Sequence, residues 1–232
     1  MYPSCHPLLE ELHSPINLDH QMTRNQSLDG GGLPDVYHTI QLHFHWGGPA
    51  SNGSEHTVDG RRYPMEMHIV NMKSIHPNLT AALDDPTGLA VLGFFIDVVY
   101  ADNVHFGLIS QKLSSVAYKG QTTKIKPFPL MNLLPKHNMS QYYRYYGSLT
   151  TPPALRWWCG LCMKSPSTSH EEDAEQVTPL QRNFRHIHST FGRKVSVSKD
   201  AKLLAGTAGL PLSSALSLLQ IILLGSFIIS GL

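Results

Sequence analysis

The stretch Gln41-Leu42-His43-Phe44-His45-Trp46 restricts the fold more than any other part of the chain. Side chains alternate between the two faces of a strand, so Gln41, His43 and His45 share one face. Ile40, Leu42, Phe44 and Trp46 share the other, which predicts a packed apolar side. Two imidazoles side by side on a strand suit either a half-exposed surface or a metal, because neutral imidazole is a common zinc ligand. The stretch Met65-Glu66-Met67-His68-Ile69-Val70 alternates in the same way and places Glu66, His68 and Val70 together. Between the two lie the turn pairs Asn52-Gly53 and Asp59-Gly60, which predict an antiparallel return of the chain. His68 then faces His43 and His45. Three imidazoles from two adjacent strands leave a fourth coordination position open, as a catalytic zinc requires and a structural zinc does not. Gln41 and Glu66, each two residues before a histidine on its face, can accept from the second ring nitrogens of His43 and His68.

Composition limits the alternatives. The 232 residues suffice for one domain with a sizeable core, and 41% apolar with 15% charged residues fits a globular chain. A net charge of +1 without a basic run gives no electrostatic footprint for nucleic acid. The 14 histidines keep the metal question open. Cys5, Cys159 and Cys162 form no disulfide framework. Cys159 and Cys162 have CxxC spacing but no second such pair, so they read as buried thiols, or as candidates for a bridge to Cys5 in a secreted protein. A zinc peptidase lacks its His-Glu-x-x-His motif, since the run His170-Glu171-Glu172-Asp173 has no second histidine.

Further along, residues 88–100 form a continuous apolar run that predicts a buried central strand. Residues 102–120 predict a helix with Phe106, Leu108, Ile109, Leu113 and Val116 inward, and residues 144–164 read as a loop followed by another strand. Sequons begin at Asn25, Asn52, Asn78 and Asn138 and favour a secretory route, whereas residues 1–18 lack the basic and apolar regions of a signal peptide. No charge follows Lys202, and residues 210–232 are apolar enough and long enough for a hydrocarbon core. Small residues 205–209, a short spacer and an apolar tail are in the order of a lipid-anchor signal, with attachment near Ala205; a C-terminal membrane helix is the alternative. The expected organisation is a domain over 1–200 and an anchor signal over 201–232.

Seven blocks, at residues 14–17, 43–47, 53–60, 65–70, 88–93, 147–153 and 183–185, together resemble the α-class carbonic anhydrases, and the tail resembles that family's membrane-anchored extracellular branch. The resemblance implies a mainly β fold with a central twisted, mostly antiparallel sheet and few short helices. It implies zinc on His43, His45 and His68, with bound water acidified to about 7, the value known for carbonic anhydrases, and reversible hydration of carbon dioxide to bicarbonate. It further implies that Thr150 is the gatekeeper hydroxyl, aimed by the Glu55 carboxylate, and that Thr151 contacts bicarbonate. Val70, Val91 and Leu149 would form the apolar wall for carbon dioxide. The Asn183 carbonyl would hold His45, and His56 would be a structural histidine. The expected location is the extracellular face of the plasma membrane, given a signal peptide upstream.

The chain also departs from the family pattern. The stretch between residue 17 and the histidine strand is short, so some family strands and the usual proton-relay histidine are expected to be missing. His38 is near the site in sequence but on the opposite face from His43 and His45 in a regular strand. Gly160 occupies the place of a pocket tryptophan, and the helix before Asn183 is mostly lost. Two function classes follow: a zinc lyase, favoured by the intact histidines, Glu55 and Thr150, and a non-catalytic cell-surface binding protein of the same shape, favoured by the deletions.

Overall fold

The computed structural model describes residues 14–18, 27–28, 33–98, 104–118, 120–134, 142–150, 181–198 and 220–224. Its strands are Asn17–Leu18 (β1), Ser27–Leu28 (β2), Tyr37–Trp46 (β3), Thr57–Val58 (β4), Arg61–Arg62 (β5), Met65–Lys73 (β6), Leu89–Ile96 (β7), Tyr142–Tyr146 (β8), Ser196–Ser198 (β9) and Gln220–Leu224 (β10). The helices are Leu79–Leu83 (α1) and Val104–Leu113 (α2), with short 3-10 turns at Ser114–Val116 and Leu130–Leu133. The fold is mainly β. A seven-stranded sheet runs in the order β2-β9-β8-β10-β7-β6-β3, and β1, β4 and β5 form a small second sheet. The pairs β3/β6, β6/β7, β7/β10 and β8/β9 are antiparallel, whereas β8/β10 and β2/β9 are parallel.

Alternation determines what each face of the sheet buries. One face carries Val70 and Met72 of β6, Leu89, Val91 and Phe95 of β7, and Tyr143 and Tyr145 of β8, packed with Ile16, Leu18, Leu149, Val195 and Val197. The other carries Met67, Ile69 and Phe94, with Leu42 and Phe44 of β3 against them. The histidine strand therefore has its apolar side on a core, except at Ile40, which is exposed.

Ile40 is exposed because β3 is irregular there. Thr39 pairs with Asn71 and Gln41 with Val70, so Ile40 is the extra residue of a bulge. An extra residue reverses parity. His38 pairs with Met72, which shares its face with Val70 and His68, so His38 lies on the face of the three histidines and not opposite them.

Two other expectations differ in detail. Asp59-Gly60 forms the tight turn between β4 and β5, with φ of 47° and 79°; both residues are left-handed, as a type I′ hairpin turn demands. Gly53 instead sits against the backbone of Trp46 and Gly47, where a Cβ would collide, so that pair serves close packing rather than reversal. α2 starts at Val104, but no residue of it is buried, and Leu108 and Leu113 are exposed. Phe106 meets Phe44 edge to face, with centroids 5.5 Å apart, so one aromatic contact takes the place of the expected apolar stripe. The stretch from residue 144, expected to start as a loop, is still strand to Tyr146 because it continues β8; the strand expected after that loop, the cysteines and the segment 166–180 lie outside the described residues.

Candidate metal centre

The antiparallel pairing of β3 with β6 sets His43 directly across from His68 and His45 across from Glu66. The three imidazoles converge. Ring centroids are 5.0 Å apart for His43 and His45, 5.3 Å for His43 and His68, and 4.7 Å for His45 and His68. One ring nitrogen from each can be chosen so that all lie within 4.8 Å of one another. A tetrahedral zinc with bonds of about 2.0–2.1 Å needs ligand nitrogens roughly 3.3 Å apart, which lies within that limit.

The hydrogen bonds identify the free atoms. Nε2 of His43, Nε2 of His45 and Nδ1 of His68 are buried and have no hydrogen-bond partner. Unpaired buried polar atoms are costly, and three of them aimed at one point fit a cation. The opposite nitrogens are engaged where the geometry shows them. Nδ1 of His45 is 2.8 Å from the backbone oxygen of Asn183. A carbonyl only accepts, so Nδ1 carries the proton and Nε2 keeps its lone pair. Nε2 of His68 is 2.5 Å from Oε1 of Glu66, which in the same way leaves Nδ1 of His68 as the free atom. Gln41 pairs with Val70 at half-buried depth beside His43.

The charges agree with a neutral ligand set at two of the three positions. Burial, with His68 and His45 nearby, pushes His43 down to about 2. Burial lowers His45 as well, against the opposing pull of Glu55. His68 differs: burial would lower it, but the Glu66 carboxylate raises it above the ordinary imidazole value. A cation at the centre would displace that extra proton, since metal and proton compete for the same nitrogen. Burial alone would raise Glu66, but His56 and His68 hold it well below the carboxylate range.

Glu66 is the hub of a longer buried chain that sequence reading reached only in part. Its Oε1 is 2.7 Å from Nδ1 of His56, and its Oε2 accepts from the His56 backbone N–H at 2.8 Å. Nε2 of His56 is 2.7 Å from the Tyr145 hydroxyl, which donates to Oγ of Ser14 at 3.0 Å. Tyr145 and Ser14 were not singled out in the sequence. Tyr145 is one of four tyrosines in five residues, and nothing local distinguishes the one whose hydroxyl meets His56.

Glu55 is buried at 1% exposure and accepts from the Arg185 backbone N–H at 2.9 Å through Oε1, which also lies 3.4 Å from Nδ1 of His45. Arg185 is a third contributor not singled out in the sequence. The other oxygen, Oε2, has no partner, nor has the buried Oγ1 of Thr150. A direct bond between the two is not formed. Val70 and Val91 are paired neighbours on β6 and β7, and with Leu149 they are buried in the core on the histidine face. Thr151 lies outside the described residues.

A model of the eukaryotic-type carbonic anhydrase family matches residues 6–158. The chain belongs to that family. Carbonic anhydrase 15 of Mus musculus is 32% identical over 207 residues, covering 80% of this chain and 62% of the relative. Carbonic anhydrase 4 of Oryctolagus cuniculus is 33% identical over 187 residues, covering 75% and 61%. Carbonic anhydrase 6 of Homo sapiens is 45% identical over 121 residues, covering 51% and 39%. The chain thus spans from about two fifths to just over three fifths of these relatives. Carbonic anhydrases use zinc, and the residues of this family member fit it: three convergent imidazoles, each with an orphaned nitrogen, and acceptors on the far nitrogens of two of them.

Proposed function

We propose that this chain catalyses the reversible hydration of carbon dioxide to bicarbonate and a proton. The observation that carries the reading is the convergence of three buried, unpartnered imidazole nitrogens, with the Thr150 hydroxyl and a Glu55 carboxylate oxygen also buried and unpartnered. Bound zinc supplies a strongly acidified water, so that a nucleophile for carbon dioxide exists near neutral pH. His43 and His45 would hold it through Nε2 and His68 through Nδ1. Glu66 and the Asn183 carbonyl orient two of those rings and select their tautomers. Glu55 can only accept a hydrogen bond, so a Thr150 hydroxyl that donates to it turns its lone pairs toward the reacting oxygen. Val70, Val91 and Leu149 offer uncharged surface to an uncharged substrate, and Thr151 is the residue proposed to contact bicarbonate.

The extracellular face of a membrane is the proposed location, supported by the sequons and by the uncharged stretch after Lys202. A lipid anchor near Ala205 is the proposed attachment. Among the described residues no helix is long and apolar enough to cross a membrane.

The test is a zinc-to-protein ratio together with stopped-flow carbon dioxide hydration. One zinc per chain and measurable turnover are expected in the unaltered protein, and both should be lost in His68→Ala. Zinc bound at full ratio without turnover would favour the binding-only reading, and zinc retained by His68→Ala would overturn the ligand assignment.

A further inference from the structure

The Asn78 amide is engaged on one side only. Asn78 is the N-cap of α1, with extended backbone at φ −159° and ψ 170°, and its Oδ1 accepts from the Ala81 N–H at 2.9 Å. A backbone N–H only donates, so the oxygen is the atom turned to the helix and Nδ2 is the atom left over. Among the described residues Nδ2 of Asn78 has no partner, and Asn78 and Thr80 are both exposed. Asn78-Leu79-Thr80 is also a sequon. The other sequon among the described residues, Asn52-Gly53-Ser54, has its polar atoms committed to the fold. Nδ2 of Asn52 donates to the Arg62 oxygen at 2.8 Å. Ser54 is fully buried; its Oγ donates to the His56 oxygen at 2.7 Å and accepts from the Tyr63 N–H at 2.9 Å. The sequons at Asn25 and Asn138 lie outside the described residues.

We propose that Asn78 carries an N-linked oligosaccharide and that Asn52 remains a plain amide. The reading rests on the extracellular location proposed above. The donor is a polyprenyl-pyrophosphate oligosaccharide whose first sugar is an N-acetylhexosamine. A bond forms between Nδ2 and the anomeric carbon of that sugar. The bond from that carbon to the pyrophosphate oxygen breaks, the lipid pyrophosphate leaves with the electron pair, and Nδ2 gives up one hydrogen as a proton. Nothing is oxidised or reduced. Oδ1 takes no part, so the cap of α1 survives the modification. A glycan is bulky and needs the surface, which the exposed Asn78 provides. The connection that bears Asn78 leaves β6 at Lys73, five residues and about 17 Å along the strand from His68. The oligosaccharide therefore stands clear of the histidines. At Asn52 a sugar would have to share Nδ2 with the Arg62 carbonyl, next to a glycine packed on the backbone of Trp46 and Gly47.

Peptide mapping of the full chain, expressed in animal cells behind a cleavable signal peptide, tests this without reference to catalysis. Peptide N-glycosidase in heavy-oxygen water turns each glycan-bearing asparagine into a labelled aspartate. Label is expected at Asn78 and none at Asn52. Thr80→Ala breaks the sequon but keeps the Asn78 cap, so it should lose the label at Asn78 while zinc content stays unchanged. An unlabelled Asn78 would overturn the proposal, and label at Asn25 or Asn138 in the same sample would show that the chain met the transferase and Asn78 was passed over. Label at Asn52 would overturn the choice between the two sites. The leader delivers the chain to the transferase whatever its natural location, so a bare Asn78 counts against the site alone. Surface biotinylation of the protein in its native cells tests the location separately.

Discussion

The backbone oxygen of Asn183 stands 2.8 Å from Nδ1 of His45, a residue 138 positions earlier in the chain. The same residue also closes an edge. Its Oδ1 accepts from the Trp46 N–H at 2.8 Å, and its Nδ2 donates to the Phe44 oxygen at 3.0 Å. The amide thus imitates a neighbouring strand along the part of β3 that carries His45. Asn183→Ala keeps the carbonyl but removes the two side-chain bonds that position it. Zinc affinity, read by competition with a chelator, should weaken by about tenfold, the low end of what partners behind metal-bound histidines contribute. Unchanged affinity would show that the carbonyl is held by other contacts.

Thr150 and Glu55 should matter for turnover and not for zinc. Their atoms Oγ1 and Oε2 are buried and unpartnered, and the candidate ligand nitrogens are contributed by other residues. Thr150→Val and Glu55→Gln should each lower kcat/KM for carbon dioxide by about a hundredfold, the scale for loss of one aimed hydrogen bond at a reacting group. Zinc content measured on the same samples should stay at one per chain. A Thr150→Val enzyme with full activity would remove the gatekeeper role.

Acid should destabilise the fold partly through Asp85. Its carboxylate meets Lys73 Nζ at 3.1 Å, His76 Nε2 at 2.9 Å and the Thr87 N–H at 2.7 Å. Burial would raise its pKa, but the Thr87 amide, His76 and Lys73 hold it well below the usual range. A carboxyl depressed in the folded state stabilises above its unfolded value, about 3.9, and loses that contribution as pH falls toward the folded value. Between pH 6 and pH 3, Tm of the unaltered protein should therefore drop more than that of Asp85→Asn. Parallel curves would show that the cluster adds nothing to the pH dependence.

Hydration releases a proton in every turnover, and an imidazole is the side chain best suited to take it near neutral pH. The bulge at Ile40 puts His38 on the face of the three ligands, at the exposed end of a strand that is buried at His43 and His45. In dilute, poorly accepting buffer, His38→Ala should lower kcat by about tenfold. Added imidazole should restore it in a saturable way, with kcat/KM unchanged. A kcat insensitive both to the substitution and to imidazole would place the proton path elsewhere.

The period-2 alternation that puts His43 with His45, and Glu66 with His68, follows from the covalent pleat of a strand, so these groupings were legible in the sequence. The Asp59-Gly60 turn was legible for a similar reason, because left-handed backbone is cheap only for a few residue types. The apolar run at 88–100 marked the central strand β7, since a strand covered on both faces has no polar side. Which strand lies beside which, and in what register, depends on backbone partners far away in sequence, and only the tertiary structure settled it. The bulge that moves His38 to the face of the three histidines, the return of Arg185 to Glu55, and the Ser14–Tyr145–His56 chain are of that kind, whereas the approach of His68 to His43 was legible from the turn pairs and that of Asn183 to His45 from the family resemblance. So is the position of Gln220–Leu224, because an apolar run is equally suited to a bilayer or to the middle of a sheet, and in the structure it pairs with β7 on one side and β8 on the other.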